Sequence, residues 1–320
     1  MHITQSEDVA VRAGESPGRD ATAAWNAVRL PAPFRALDAP TVPPEQSGKV
    51  GVLDLGLSPV EGYTRAVRQF QRSPPFMFHP LYLDPCRPDM AFVPMLQAGD
   101  GLVQGDRCLL HVDCAPGAAA HITTQAATKV YRADGDFSGQ LIDLTLAAGS
   151  YLEYLPEPFI PFRGSRYFQR LRLTTHPNAS AIIGDILTPG RIARGETHAY
   201  ELYHADVEAR RPGGDLLFAD VTTFEPAKRS PRSPAALGEY DVVGALYAFT
   251  HAVDPGMVAE RLIERLHDRD DVCSGVTELP NAAGVGARIL GPTSAAVTTA
   301  MRAAWDTVRR DIIGAPAPIV

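Results

Sequence analysis

At 320 residues, with a formal net charge of −7 and a pI near 5.7, the chain lacks the overall positive charge that drives broad binding to nucleic acid. Its hydrophobic fraction of 45% and charged fraction of 21% are those of a folded globular protein, which excludes wholesale disorder and fibrous structure. A compact chain of this length buries about three quarters of its extended surface, so a sizeable core is available.

Residues 1 to about 45 mix Ala, Pro and charge without helical or strand periodicity, and the run PAPFRALDAPTVPPEQSG is dense in proline. We read this stretch as an unstructured N-terminal arm, with Trp25 and Phe34 as the residues able to dock locally. Its start, MHITQSEDVAVRAGE, carries acids where a secretory signal has its apolar stretch, and no apolar run approaches the ~20 residues of a bilayer span. The expected location is the cytoplasm, with no membrane contact.

Residues 46–320 read as a single β-rich domain. From Lys49 onward, short segments rich in Val, Leu, Ile, Thr, Tyr and Phe are broken by Gly, Pro, Asp or Asn, the pattern of a mainly β body. Strands are expected at 50–57, 64–71, 75–83, 90–96, 107–114, 121–127, 140–147 and 151–156, then at 166–175, 180–187, 198–210, 215–224 and 238–250. Alternation of Arg170, Arg172 and Thr174 with Leu171, Leu173 and Thr175 puts one face of that strand in water.

Helix signals are confined to the C-terminal quarter. Asp254-Pro255 supplies an N-cap and a first-position proline, and Val258, Leu262 and Leu266 recur at a spacing of four, which predicts a helix over 255–268. A second apolar stripe through Val297, Met301, Ala304, Val308 and Ile312, ended by Gly314, predicts a helix over 293–313, and 287–291 between them reads as a short strand.

Catalytic and metal templates are absent. Gly99, Gly101 and Gly105 match neither GxGxxG nor the P-loop spacing, and turn glycines beside Asp100 and Asp106 are the simpler account. Cys108 and Cys114 share a strand face while His111 points to the other, so these three do not form a zinc site. With Cys86 and Cys273 they form no CxxC pair and are expected to be reduced, small apolar residues. No GxSxG elbow or HExxH pair occurs.

Five segments carry a resemblance: GDGLVQGD (99–106), ITTQAATKVYR (122–132), LEYLPEPFIPFRGSR (152–166), GRIARGE (190–196) and RAAWDTVRRDIIGAPAP (302–318). In order and spacing, from about Val50 to the C-terminus, they resemble urease accessory proteins of the D class, called H in some organisms. The long N-terminal arm and Asp100-Gly101, where the family more often has paired glycines, are departures. The resemblance implies a non-catalytic scaffold that binds apo-urease, the F-class accessory protein and, through it, the G-class GTPase while nickel is inserted. It also implies a fold of β-strands stacked in a helical arrangement, no tightly bound cofactor, and only transient nickel contact.

In that light, Asp106, Thr128, Lys129, Asp185, Glu196 and Asp220 are candidates to line an interior polar passage for nickel, because charge clustered in core strands must meet water or a counter-charge. The rival is a buried structural network pairing Lys129 or Arg132 with Asp106 or Glu196. In EPFIPFRGSR, the prolines favour an exposed edge or loop, which makes Phe159, Ile160, Phe162 and Arg163 candidates for a partner interface; packing under a loop is the alternative. Trp305 on the last helix is expected against the β body or a partner. An enzyme using Asp and His in a β-lined pocket and a stand-alone nickel-binding protein are the competing functions.

Overall fold

The computed structural model describes residues 21–35, 37, 48–97 and 99–319. Two short helices come first, α1 (Ala21–Asn26) and α2 (Ala32–Arg35). Strands follow in chain order: β1 (Val50–Val60), β2 (Tyr63–Arg72), β3 (Ala91–Met95), β4 (Arg107–Cys114), β5 (Ala119–Thr124), β6 (Thr128–Val130), β7 (Ser138–Leu146) and β8 (Tyr151–Tyr154). Then come β9 (Phe159–Pro161), β10 (Arg166–Thr175), β11 (Ser180–Leu187), β12 (Leu202–Arg210), β13 (Leu216–Phe224) and β14 (Val242–Phe249). Helix α3 (Pro255–His267), strands β15 (Cys273–Glu278) and β16 (Gly284–Gly291), and helix α4 (Ser294–Ile313) complete the chain.

The strands form two sheets, one ordered β13-β12-β10-β7-β4-β1-β2 and the other β15-β16-β14-β11-β8-β5-β3, with β6 and β9 paired at the side of the second. Strands β1, β4, β7, β10 and β12 are parallel neighbours, as are β3, β5, β8 and β11. Parallel neighbours need a crossover, commonly a helix. Here a strand of the opposite sheet makes it, so the backbone climbs as a solenoid-like stack. Antiparallel strands close the ends: β2 and β13 on the first sheet, β14, β16 and β15 on the second.

Side-chain alternation then builds three layers of core. Leu53, Leu110, Ile142 and Leu171 of the first sheet face Val93, Ile122, Leu152 and Ile183 of the second, all nearly or fully buried. The outer face of the second sheet carries Ile182, Ile186 and Leu246 and is covered by Val258, Leu262, Val297, Ala304 and Val308 of the two C-terminal helices. Their ends follow the sequence signals: Asp254 caps α3 through Met257 N–H, Thr293 caps α4 through Ala296 N–H, and Gly314 ends α4 in the left-handed region.

Several expectations change. The arm expected over 1–45 is structured at residues 21–35: Trp25 and Phe34 pack edge-on against Phe168, and Phe34 also against Phe137, covering part of the first sheet's outer face. The rest of that arm, apart from Leu37, lies outside the described residues. The strand expected at 75–83 reduces to isolated bridges at Phe76 and Leu81, because Pro75 and Pro80 have no N–H to donate. Strand β15 was not expected; its Gly275 and Glu278 are poor strand formers, held there by pairing with β16.

Candidate functional site

The segment ITTQAATKVYR crosses from β5 to β6 and forms one wall of the molecule's interior. Pro156 and Pro158 lack backbone donors, so β8 stops at Tyr154 and the ladder between β5 and β11 opens there. Around the opening, Thr123 Oγ1 donates to Leu155 O (2.7 Å) and Thr124 Oγ1 accepts from Glu157 N–H (2.9 Å).

Two cavities meet at this opening. The first, about 230 Å³, is lined by both sheets, including Cys108, Gln140, Gln169, Tyr154, Thr128 and Lys129. The second, about 340 Å³, lies between the second sheet and α4, against Phe92, His121, Met301 and Trp305. They share Thr124, Gln125, Pro156, Glu157 and Asp185. A small third cavity, about 30 Å³, begins again at Asp185 and ends at Asp220, Tyr247 and Arg288. Asp185 therefore borders all three.

Asp185 faces the space between the sheets with a hydrogen bond from Tyr203 OH at 3.1 Å, and it forms no ion pair among the described residues. Burial pushes its carboxyl above the usual aspartate range, against the lowering effect of the Tyr203 and Ile186 donors. Nearby, Tyr167 OH sits 2.5 Å from Gln140 Oε1 and 2.8 Å from Gln169 Oε1. Cys108 is the thiol on this wall, and burial pushes its pKa up to about 12, so it stays protonated at neutral pH.

The six passage candidates separate. Thr128, Lys129 and Asp185 line the first cavity, and Asp220 lines the third, where Tyr247 OH and Arg288 donate to it. Asp106 does not: its carboxylate accepts the backbone N–H groups of Lys49 and Val103, each at 2.9 Å, and fixes a turn. Glu196 is also elsewhere, held by Arg191 at 2.5 and 2.8 Å and by Arg163 N–H. The rival pairing of Lys129 or Arg132 with Asp106 or Glu196 is not formed; Arg132 pairs with Asp134. Gln140, Gln169, Glu157 and His121 line the cavities and were missed.

Most of the interface candidates turn inward. Phe159 is packed against Tyr167 and Tyr203, Phe162 lies against Tyr131 and under Arg191, and Trp305 is buried beside His121. All three side chains are therefore packed within this chain. Ile160 is half-buried and Arg163 is exposed.

Under α4 lies a different kind of polar cluster. Arg309, fully buried, donates to Asp84 and lies 3.4 Å from Glu153 Oε1. Glu153, also fully buried, accepts from His121 Nδ1 (2.7 Å) and Tyr151 OH (2.5 Å). Burial alone would raise the Glu153 carboxyl, but His121, Arg309 and Tyr151 hold it below the ordinary glutamate range. No group of three or more His, Cys, Asp or Glu side chains among the described residues is placed to hold a metal ion.

The fold and site define a β-solenoid-like body with its two long helices on one sheet and polar cavities inside. Residues 49–320 match the family described as UreD urease accessory protein. Similar proteins include urease accessory protein UreD 2 of Streptomyces griseus subsp. griseus, 38% identical over 280 residues, covering 87% of this chain and 95% of that one. Urease accessory protein UreD of Haloquadratum walsbyi is 37% identical over 274 residues, 85% of this chain and 89% of its own. Urease accessory protein UreD 2 of Brucella suis biovar 1 is 34% identical over 283 residues, 87% and 92%. The chain belongs to the UreD urease accessory family and is an accessory protein, not an enzyme.

Proposed function

We propose that this chain is a scaffold in urease maturation that binds apo-urease and the F-class accessory protein, with the G-class GTPase joining through the latter, and that nickel crosses its interior by way of the three cavities. The observation that carries the passage is Asp185, a carboxylate with no ion pair among the described residues that lines all three cavities, with Arg288 acting on it at longer range. Nickel in transit favours oxygen and imidazole donors, which exchange more readily than thiolates. Asp185, Asp220, Glu157 and His121 supply such donors, and the thiol of Cys108 is kept from competing by its high pKa. Contact is transient because these groups are spread along the cavities and not gathered into one cage.

The scaffold role is tested by expressing the urease gene cluster with and without this chain and isolating apo-urease. Urease should emerge poor in nickel when the chain is missing, and the tagged chain should co-purify with urease and the F-class protein. Full nickel loading in its absence would contradict the role.

A further inference from the structure

Eight of the fifteen exposed large apolar side chains recorded among the described residues fall between Val60 and Leu83. Three belong to β2 and four to the segment that follows it, and Val60 ends β1. The segment from Met77 to Tyr82 lies along the outer edge of β2: Gln69 Nε2 donates to Met77 O (3.1 Å), Met77 N–H donates to Gln71 Oε1 (3.0 Å), and Tyr82 OH donates to Thr64 O (2.8 Å). Tyr63 and Tyr82 meet edge to face at 5.3 Å. A register shift, in which Leu57 opposes Ala66 but Gly56 opposes Arg68, leaves Val67 as the extra residue, 54% exposed. Phe78 is 78% exposed. By backbone the segment bonds instead to Leu96 and to Phe92 of β3, through Phe76 and Leu81, so it meets β2 through side chains.

Charge picks out the occupant. In a chain of net charge −7, residues 60–83 contain Arg65, Arg68 and Arg72 with Glu61 as the one carboxylate. Arg68 is held by Asp54 and Asp113, whereas Arg65 meets Glu61 at a loose 3.4 Å and Arg72 has no ion pair among the described residues. The opposite end of the same sheet also exposes apolar side chains, Leu216 and Val221, but sets them beside Asp215 and Glu225. Exposed apolar side chains gathered in this way mark protein contacts, and basic side chains among them select partners with complementary acidic ones.

We propose that the face of β2 and the 76–83 segment is the docking surface for a protein of the maturation complex that presents apolar side chains ringed by Asp and Glu. This rests on the scaffold reading and extends it to a place on the molecule. A polyphosphate chain has no comparable apolar area to bury there, and three arginines are a small basis for nucleic-acid affinity.

The probes are apo-urease and the F-class accessory protein, each purified without this chain and titrated onto the full-length chain, with anionic vesicles as a third arm. One of the two proteins should bind the wild type, and Val67→Asp with Phe78→Asp should weaken it by about tenfold or more, as loss of central contacts does. Arg65→Glu with Arg72→Glu should weaken binding at low salt, the difference shrinking as salt rises. Val221→Asp, at the far end of the sheet, should leave binding unchanged, and unaltered thermal unfolding of each variant shows that the fold is retained. Undiminished protein binding by both double variants overturns the docking surface and leaves the scaffold reading standing. Failure of both proteins to bind the wild type, or binding to vesicles alone, overturns the two together.

Discussion

Two buried polar regions of this molecule lie within one layer of each other and solve the same problem differently. Under α4, Arg309 is enclosed by Asp84 and Glu153, with His121 and Tyr151 satisfying the remaining carboxylate positions, and the cluster ties the last helix to the sheet. Between the sheets, Asp185 has one hydroxyl donor, no ion pair among the described residues, and a place in the lining of three cavities. The first arrangement is a closely paired staple in which each charge has a counter-charge. The second is a roomy, under-paired site whose acid is held by the Tyr203 hydroxyl, with Arg288 acting at longer range. Burial of charge alone therefore says little about role; what distinguishes the regions is whether the space beside the charge is filled by an opposite charge or left for something else to occupy.

The largest test of this contrast removes the staple. Arg309→Ala strands two buried carboxylates and should cost about 3–5 kcal/mol of stability in denaturant unfolding. A loss below about 1 kcal/mol would mean that water reaches the cluster and that the two regions are alike.

A smaller loss should come from a paired carboxylate at the surface of the first sheet. Burial raises the Asp113 carboxyl, but hydrogen bonds from His111 and Arg68 outweigh it and hold the pKa at about 2. A depressed folded pKa gives stability that is present above the unfolded value of ~3.9 and lost as pH falls towards the folded one. Acid unfolding of the wild type should thus steepen between about pH 4 and pH 2 relative to Asp113→Asn. Identical acid profiles would contradict the pairing.

Smallest is the effect at Asp185, and its sign is opposite. An acid whose folded pKa is raised favours folding most below its unfolded value and loses that advantage as pH rises through the folded one. Asp185→Asn keeps an acceptor for Tyr203 OH, so at pH 7 it should leave stability unchanged or raise it by less than about 1 kcal/mol. The gain should vanish in acid. Marked destabilisation at pH 7 would show that Asp185 belongs with the staple.

Much of the fold could be read along the chain because inward positions alternate strictly, as at Leu53, Leu55 and Leu57, and because α3 announces its start at Asp254 and α4 its end at Gly314. The stacking order could not be, since each strand's neighbour lies a full coil away and local pattern carries no record of it. Helices α1 and α2 were hidden because their Ala and Pro composition is equally that of a loose tail; docking of Trp25 and Phe34 decides the matter. At the site, Gln140 and Gln169 occupy core parity beside Ile142 and Leu171, a signal that strand register alone could have raised. Asp106 and Glu196 lie away from the cavities; a carboxylate that staples a turn and one that lines a cavity look the same in sequence, and only partner geometry separates them.

The most direct measurement is the nickel bound per urease active site after maturation with the chain carrying Asp185→Asn, taken on complexes first isolated intact. The account predicts that the complex forms as usual and that nickel loading falls. Full loading through an intact complex would contradict a route past Asp185.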